Sequence, residues 1–208
     1  MIDNGTDKRI TISNIIDYRF VGVVFYTYII MEGEGRIVFI DQHAMHERIN
    51  YERIKSCYTT GNLNTEEFLM PIKMEVPSDI TDIIIENIKV FRDMGFDIEH
   101  FGDNGFIVRS SPNFIEYGQT EDVVISIADI INNNKKNFDL SIFKDDMIKQ
   151  MSCKSSIRAG ENITYDEVKY LLEKLAKCEI AYTCPHGRPI FFEMTKSFIE
   201  KQFKRLGF

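Results

Sequence analysis

Residues 19 to 40 constrain this chain more than any other segment. Arg19-Phe20-Val21-Gly22-Val23-Val24-Phe25-Tyr26-Thr27-Tyr28-Ile29-Ile30 is dense in β-branched and aromatic side chains. Such residues fit a pleated, half-buried surface and lose rotamer freedom in a helix. Glu32-Gly33-Glu34-Gly35 supplies a turn, and Arg36 to Ile40 returns as a second strand of a hairpin. Residues 9 to 40 are therefore predicted to form a β-meander. Asp41 ends the second strand, and a helix free of Gly and Pro is predicted from about Gln42 to Tyr58, stopped by Gly61-Asn62.

The rest of the chain alternates in the same way. Phe68 to Val76 reads as a strand, with Pro71 placing it at an edge or in a loop. Ile80, Ile83, Ile84, Asn87, Ile88 and Phe91 recur at helical spacing between Pro77-Ser78-Asp79 and Gly95. Phe96 to Glu99 and Gly105 to Arg109 flank Gly102-Asp103-Asn104 as a second hairpin. Helices are predicted over Val123–Asn132 and Lys144–Ser156. A third helix starts at Thr164-Tyr165-Asp166-Glu167, which has the pattern of a capping box. Ile190 to Met194 is a last strand and Ser197 to Leu206 a last helix. The fold class is α+β in two lobes. A larger lobe with a mostly antiparallel sheet and helices takes residues 1–76 and 146–208, and a smaller α/β lobe is inserted at 77–145.

Charge and composition narrow the function. The chain has 208 residues, 44% of them hydrophobic, and a net charge of −7. Proteins that hold DNA through phosphate contacts are usually basic, because Lys and Arg release condensed counterions. If this chain acts on DNA, metal ions, a partner or another segment must supply the positive charge. The start, Asp3 to Lys8, is polar and gives no secretory leader pattern, and the apolar runs Phe20–Met31 and Asp82–Val90 are too short or interrupted to span a bilayer. A cytoplasmic location is expected. Four cysteines are too few for a disulfide scaffold at this length.

The residues able to carry chemistry fall in three places. His43 and Glu47 are four apart on the first predicted helix, so they project from one face and suit a shared metal ion. Asp41 lies just before that helix and can point into the same space, while His46 points elsewhere. Alone, a His/Glu pair is usually an ordinary polar face. Cys184-Pro185-His186-Gly187-Arg188-Pro189 presents a thiol and an imidazole from a stiff loop, and zinc favours those donors with carboxylate beside them. Cys153, in Ser152-Cys153-Lys154, reads by itself as a core cysteine, and so do Cys57 and Cys178. Lys154 or Arg158 beside Cys153 would favour its thiolate.

Together these segments resemble the MutL family of DNA mismatch-repair proteins, over about Ile10 to Phe208 and less closely across 77–145. Asp41-Gln42-His43-Ala44 with Glu47 and Glu52 fits the family's endonuclease motif. Ser152-Cys153-Lys154 fits a second motif, Cys184 to Pro189 a third letter for letter, and Phe203-Lys204-Arg205 a fourth, all in the family's order. The resemblance implies a C-terminal dimerisation and endonuclease domain of the bacterial homodimeric type, nicking double-stranded DNA and associated with the nucleoid.

It also implies a ligand set of His43, Glu47, Cys153, Cys184 and His186 for Zn2+, Mn2+ or both, with Glu47 placed to bridge two ions. Asp41 and Glu47 are the implied catalytic residues, Asp41 acting through metal binding or as a general base. Glu52, about 140° around the helix from Glu47 at ~3.6 residues per turn, reads as structural and within reach of Arg48. Arg188 braces Asp41 or meets phosphate. Lys204 and Arg205 approach the site or end a solvated helix.

ATP would bind only in an N-terminal domain absent from this sequence, and MutS would be met through the longer protein. The sheet and last helix would form the homodimer, with Val23, Phe25 and Tyr26 either at its interface or in the core. The sliding clamp of replication would dock at Glu66-Glu67-Phe68-Leu69-Met70-Pro71, where Glu66 stands in place of the family's Gln. A rival reading keeps the same ligands but makes the zinc a purely structural tie in a non-catalytic dimerisation module. A metal-responsive transcriptional regulator would need a basic recognition helix, and no helix here is clearly basic.

Overall fold

A computed structural model of the chain describes residues 11–133, 140–154 and 163–205, without the side chains of 140–143 and 154. In chain order the first elements are α1 (Ile12–Ile16), β1 (Arg19–Val24), β2 (Tyr28–Gly33), β3 (Arg36–Asp41), α2 (Gln42–Thr60), β4 (Thr65–Glu75) and α3 (Ser78–Glu86). They are followed by α4 (Ile88–Asp93), β5 (Asp97–His100), β6 (Gly105–Pro112), α5 (Thr120–Asn133), α6 (Leu140–Lys154), α7 (Tyr165–Leu175), β7 (Phe191–Thr195) and α8 (Lys196–Gln202). The fold is α+β, and both sheets are antiparallel throughout.

The chain divides into two compact units, Met1–Ile49 with Ile157–Phe208, and Asn50–Ser156. The second half of α2 and all of β4 thus belong to the second unit, whose span is wider than the insertion drawn at 77–145.

The first unit is built on a sheet in the order β1-β2-β3-β7. Strand alternation puts Ile29, Met31, Val38 and Ile40 on one face, where they pack with Ile12, Ile15, Met45, Val168 and Leu172. The opposite face carries Ile30, Phe39 and Phe192 in one row and Ile37 and Met194 in the next. That row is half-buried to exposed, with the Phe39 and Phe192 rings 5.8 Å apart. Helix α7 opens with the expected box: Thr164 accepts from the Glu167 amide, and the Glu167 carboxylate accepts from the Thr164 amide.

The long run at 19–30 is not one strand. It reverses at Phe25-Tyr26, where both residues have positive φ, 54° and 51°, and the Thr27 amide donates to the Val24 carbonyl. Val23 lies opposite Ile29 and packs on the core, so it has the core role and not the surface one. Residues 12–16 are helical where a meander strand was expected.

The second unit holds a sheet in the order β4-β6-β5 and the helices α3 to α6. Its core runs through Ile54, Ile84, Phe91, Phe96, Phe106, Val108, Val124 and Met151. The predicted helix 78–94 breaks into two at Asn87, whose side-chain amide donates to the Ile83 carbonyl and so competes with the helical ladder. In β4, five steps from Glu67 to Ile72 oppose only two in β6, from Ser110 to Val108. The extra length bulges out around Pro71, which has no amide to donate. Leu69 is fully exposed there and Met70 largely so.

Candidate metal centre

Helix α2 starts directly off β3, and its first two turns carry the donors. Asp41 caps it: one carboxylate oxygen accepts the Ala44 amide at 3.0 Å. His43 and Glu47 follow one turn apart, with His43 Nε2 3.0 Å from Glu47 Oε1. The Glu47 carboxylate is wholly buried, while His43 keeps about a third of its side-chain surface.

Cys184 and His186 arrive from a tight loop. Thr183 and Pro189 form a bridge, the Cys184 amide donates to the Arg188 carbonyl and the Gly187 amide to the Cys184 carbonyl. Gly187 has φ +84°, a region where a side chain is strained. The loop is tied to the start of α2 in two ways. The Asp41 amide donates to the Ile190 carbonyl at 3.0 Å. The Nε of Arg48, a buried residue, donates to the Thr183 carbonyl at 2.7 Å.

These ties bring one donor atom each from Glu47, Cys184 and His186 within 4.8 Å of one another. His186 Nδ1 is 3.4 Å from Glu47 Oε2. Cys184 is buried, and burial pushes its thiol up; the His186 and Arg188 amides pull it back, and the Glu47 carboxylate raises it again. A buried carboxylate facing a buried thiol and two imidazoles is an arrangement a divalent cation would stabilise, since it would favour the thiolate and neutralise the acid. Thiolate, imidazole and carboxylate are also the donors zinc takes. The residues therefore fit the group.

Of the other expected site residues, Cys153 is half-buried on α6 in the second unit. Arg158 lies outside the described residues, as does the Lys154 side chain. His46 is buried away from solvent, and burial followed by the neighbouring His43 lowers its pKa. Arg188 is exposed and makes no ion pair with Asp41, so it does not brace that residue. Lys204 and Arg205 are exposed beyond the end of α8. The sequence offers Arg48 only as a partner of Glu52 at i,i+4. Its position beside Glu47 in the motif was the one available signal for its hold on the cysteine loop.

The fold and cluster define an α+β domain with a Glu–Cys–His constellation at one end of its first sheet. Residues 21–163 match the family model described as the MutL C terminal dimerisation domain. A DNA mismatch repair protein MutL of Desulforamulus reducens is 35% identical over 185 residues, covering 88% of this chain and 29% of that protein. That of Caldanaerobacter subterraneus subsp. tengcongensis is 32% identical over 205 residues, covering 98% of this chain and 34% of the relative. The chain belongs to the MutL C-terminal dimerisation-domain family of DNA mismatch-repair proteins. It spans about a third of the length of the curated relatives it matches. No described helix is long and apolar enough to cross a membrane.

Proposed function

We propose that this domain is a metal-dependent endonuclease that nicks double-stranded DNA as a homodimer. The observation that carries the reading is the Glu47–Cys184–His186 cluster, whose Glu47 lies on the helix that the Asp41 carboxylate caps. Glu47, Cys184 and His186 would hold Zn2+, with His43 beside them and Cys153 added by the family's motif. Mn2+ suits a second position richer in carboxylate and water. Such ions supply a lowered water pKa and positive charge at the phosphate oxygens. The chain's own residues do the rest. Asp41 uses one oxygen as the helix cap, leaving the other to orient a water or hold its proton. Half-exposed His43 and His186 mark the open side of the cluster, and the wholly buried Glu47 its closed side. Exposed Arg188 is available to a phosphate.

The same reading assigns the outer sheet row around Phe39 and Phe192 to the two-fold interface, and the β4 bulge with Leu69 and Met70 to the sliding clamp. ATP and MutS belong to the longer protein, in the cytoplasm at the nucleoid. The test is relaxation of supercoiled plasmid with Mn2+ at low salt, comparing the parent chain with Asp41→Asn and adding the clamp. Relaxed circles with the parent alone are expected. Zinc uptake and dimerisation without nicking, also in the full-length protein, would leave only a zinc-tied dimerisation module.

A further inference from the structure

The reversal between β1 and β2 is made of residues that fit it poorly. Two-residue hairpin turns with both central residues at positive φ select Asn-Gly or Asp-Gly, because a Cβ is strained there. This chain places two aromatic side chains in those positions, Phe25 at φ 54° and Tyr26 at φ 51°. Neither is sheltered: Phe25 is 84% exposed and Tyr26 64%. The strained pair therefore buries little of its surface within its own unit and presents two aromatic faces outward.

The turn stands at the candidate centre. The Gln42 amide, the first of α2, donates to the Thr27 carbonyl at 3.1 Å, and Tyr28 lies directly opposite Asp41. Tyr26 is two residues before Tyr28, so their Cα atoms are at most roughly 7 Å apart, the reach of two extended residues at ~3.3–3.6 Å each. A nucleic acid presenting a phosphate to Asp41 would meet the tip of this hairpin next.

The charge balance says what kind of contact is needed there. At a net charge of −7 the chain gains little from counterion release, so contacts that need no positive charge add most to its hold on DNA. Aromatic faces stack on any base and need no positive charge. Apolar side chains that enter between base steps also open the duplex locally.

We propose that Phe25 and Tyr26 form an aromatic wedge that stacks on or between bases of the DNA beside the bond to be cut. The proposal rests on DNA being the substrate of the centre. A second copy of the chain is the competing occupant.

Trp is absent from this sequence, so Phe25→Trp introduces a single indole at the tip. Its fluorescence would be followed in the metal-loaded chain while a blunt duplex oligonucleotide is added at low salt. Strong quenching at saturation is expected, undiminished per complex as salt is raised. In parallel, Phe25→Asn with Tyr26→Gly gives the turn its preferred residues, so the variant should melt higher than the parent while binding the duplex about tenfold more weakly. Sedimentation would follow the dimer in both. The proposal is overturned by unchanged indole emission at saturating DNA, or by no duplex binding by the parent. It is also overturned if the Asn-Gly variant loses the dimer and keeps its DNA affinity per dimer, which would give the turn to a second copy. Quenching with plasmid left supercoiled would sink the nuclease reading, and with it the placement beside a bond to be cut, while showing that the turn contacts DNA.

Discussion

Arg48 offers a test of how the cysteine loop is held. Arg48 is 5% exposed, and Arg48→Met keeps the apolar stem while removing the guanidinium that donates to the Thr183 carbonyl at 2.7 Å. Hydrogen bonds made by a charged group contribute roughly 1.5–3 kcal/mol. Thr183 immediately precedes Cys184, so the lost bond is felt first as freedom of the loop that presents the thiol. If the whole loss appears in ligand positioning, zinc affinity falls about 10- to 150-fold at roughly 1.4 kcal/mol per decade. Groups that orient metal ligands without touching the metal have effects of about that size, roughly 10- to 100-fold. Competition with a chromogenic chelator would measure the affinity, and thermal unfolding in excess chelator would measure the metal-free fold. Arg48→Lys, which keeps charge without the planar fork, should fall between. Zinc affinity within twofold of the parent, with a lowered metal-free melting temperature, would refute the reasoning: Arg48 would then brace the core and not the centre.

Three further outcomes follow from the same geometry. Asp41→Asn should retain the α2 cap and melt within a degree or two of the parent, whereas Asp41→Ala should lose about 1 kcal/mol, as thermal unfolding would show; equal melting of the two would deny the cap. Because burial holds the Cys184 thiol above its usual range, zinc must displace its proton at neutral pH, so affinity should fall about tenfold per unit as pH drops from 8 to 6; a flat profile by chelator competition would count against Cys184 as a ligand. Leu69→Ser should abolish binding to the sliding clamp on a sensor chip with stability changed by less than about 0.5 kcal/mol, as for exposed substitutions generally; retained clamp binding would remove the bulge from that role.

Much of the local structure was legible because local rules decided it. The start of α2, the Glu32–Gly35 turn and the Thr164–Glu167 box are each set by residues within a few positions of one another. The candidate ligands were legible too, since a Cys and a His in a proline-stiffened loop are an uncommon pair. Other features depended on context. The reversal at Phe25-Tyr26 carries no Gly or Asn to announce it, so 19–30 read as one strand. The sequence leaves Val23 open between the interface and the core, because which face of a strand is covered depends on what packs on it. Asn87 sits at helical spacing yet breaks the helix with its own side chain. The reach of Arg48 to Thr183 joins residues 135 positions apart, and no periodicity encodes such a bond.

The first unit is drawn from both ends of the sequence, with the second unit lying between them. Arg36 on β3 finds its ion-pair partner Glu193 on β7 at a separation of 157 residues, and Glu47 is 139 residues from His186. A ribosome adding roughly 5–20 residues per second would therefore make Glu47 about 7–28 s before its loop partners. Toward the end of that interval the second unit has all of its chain, while β1 to β3 still lack their fourth strand and the Glu47 carboxylate has no Cys184 thiol or His186 imidazole to face. The Glu47–Cys184–His186 cluster thus cannot assemble until both units' preceding chain has been made. A chain released early can be largely folded and still have no place for a metal.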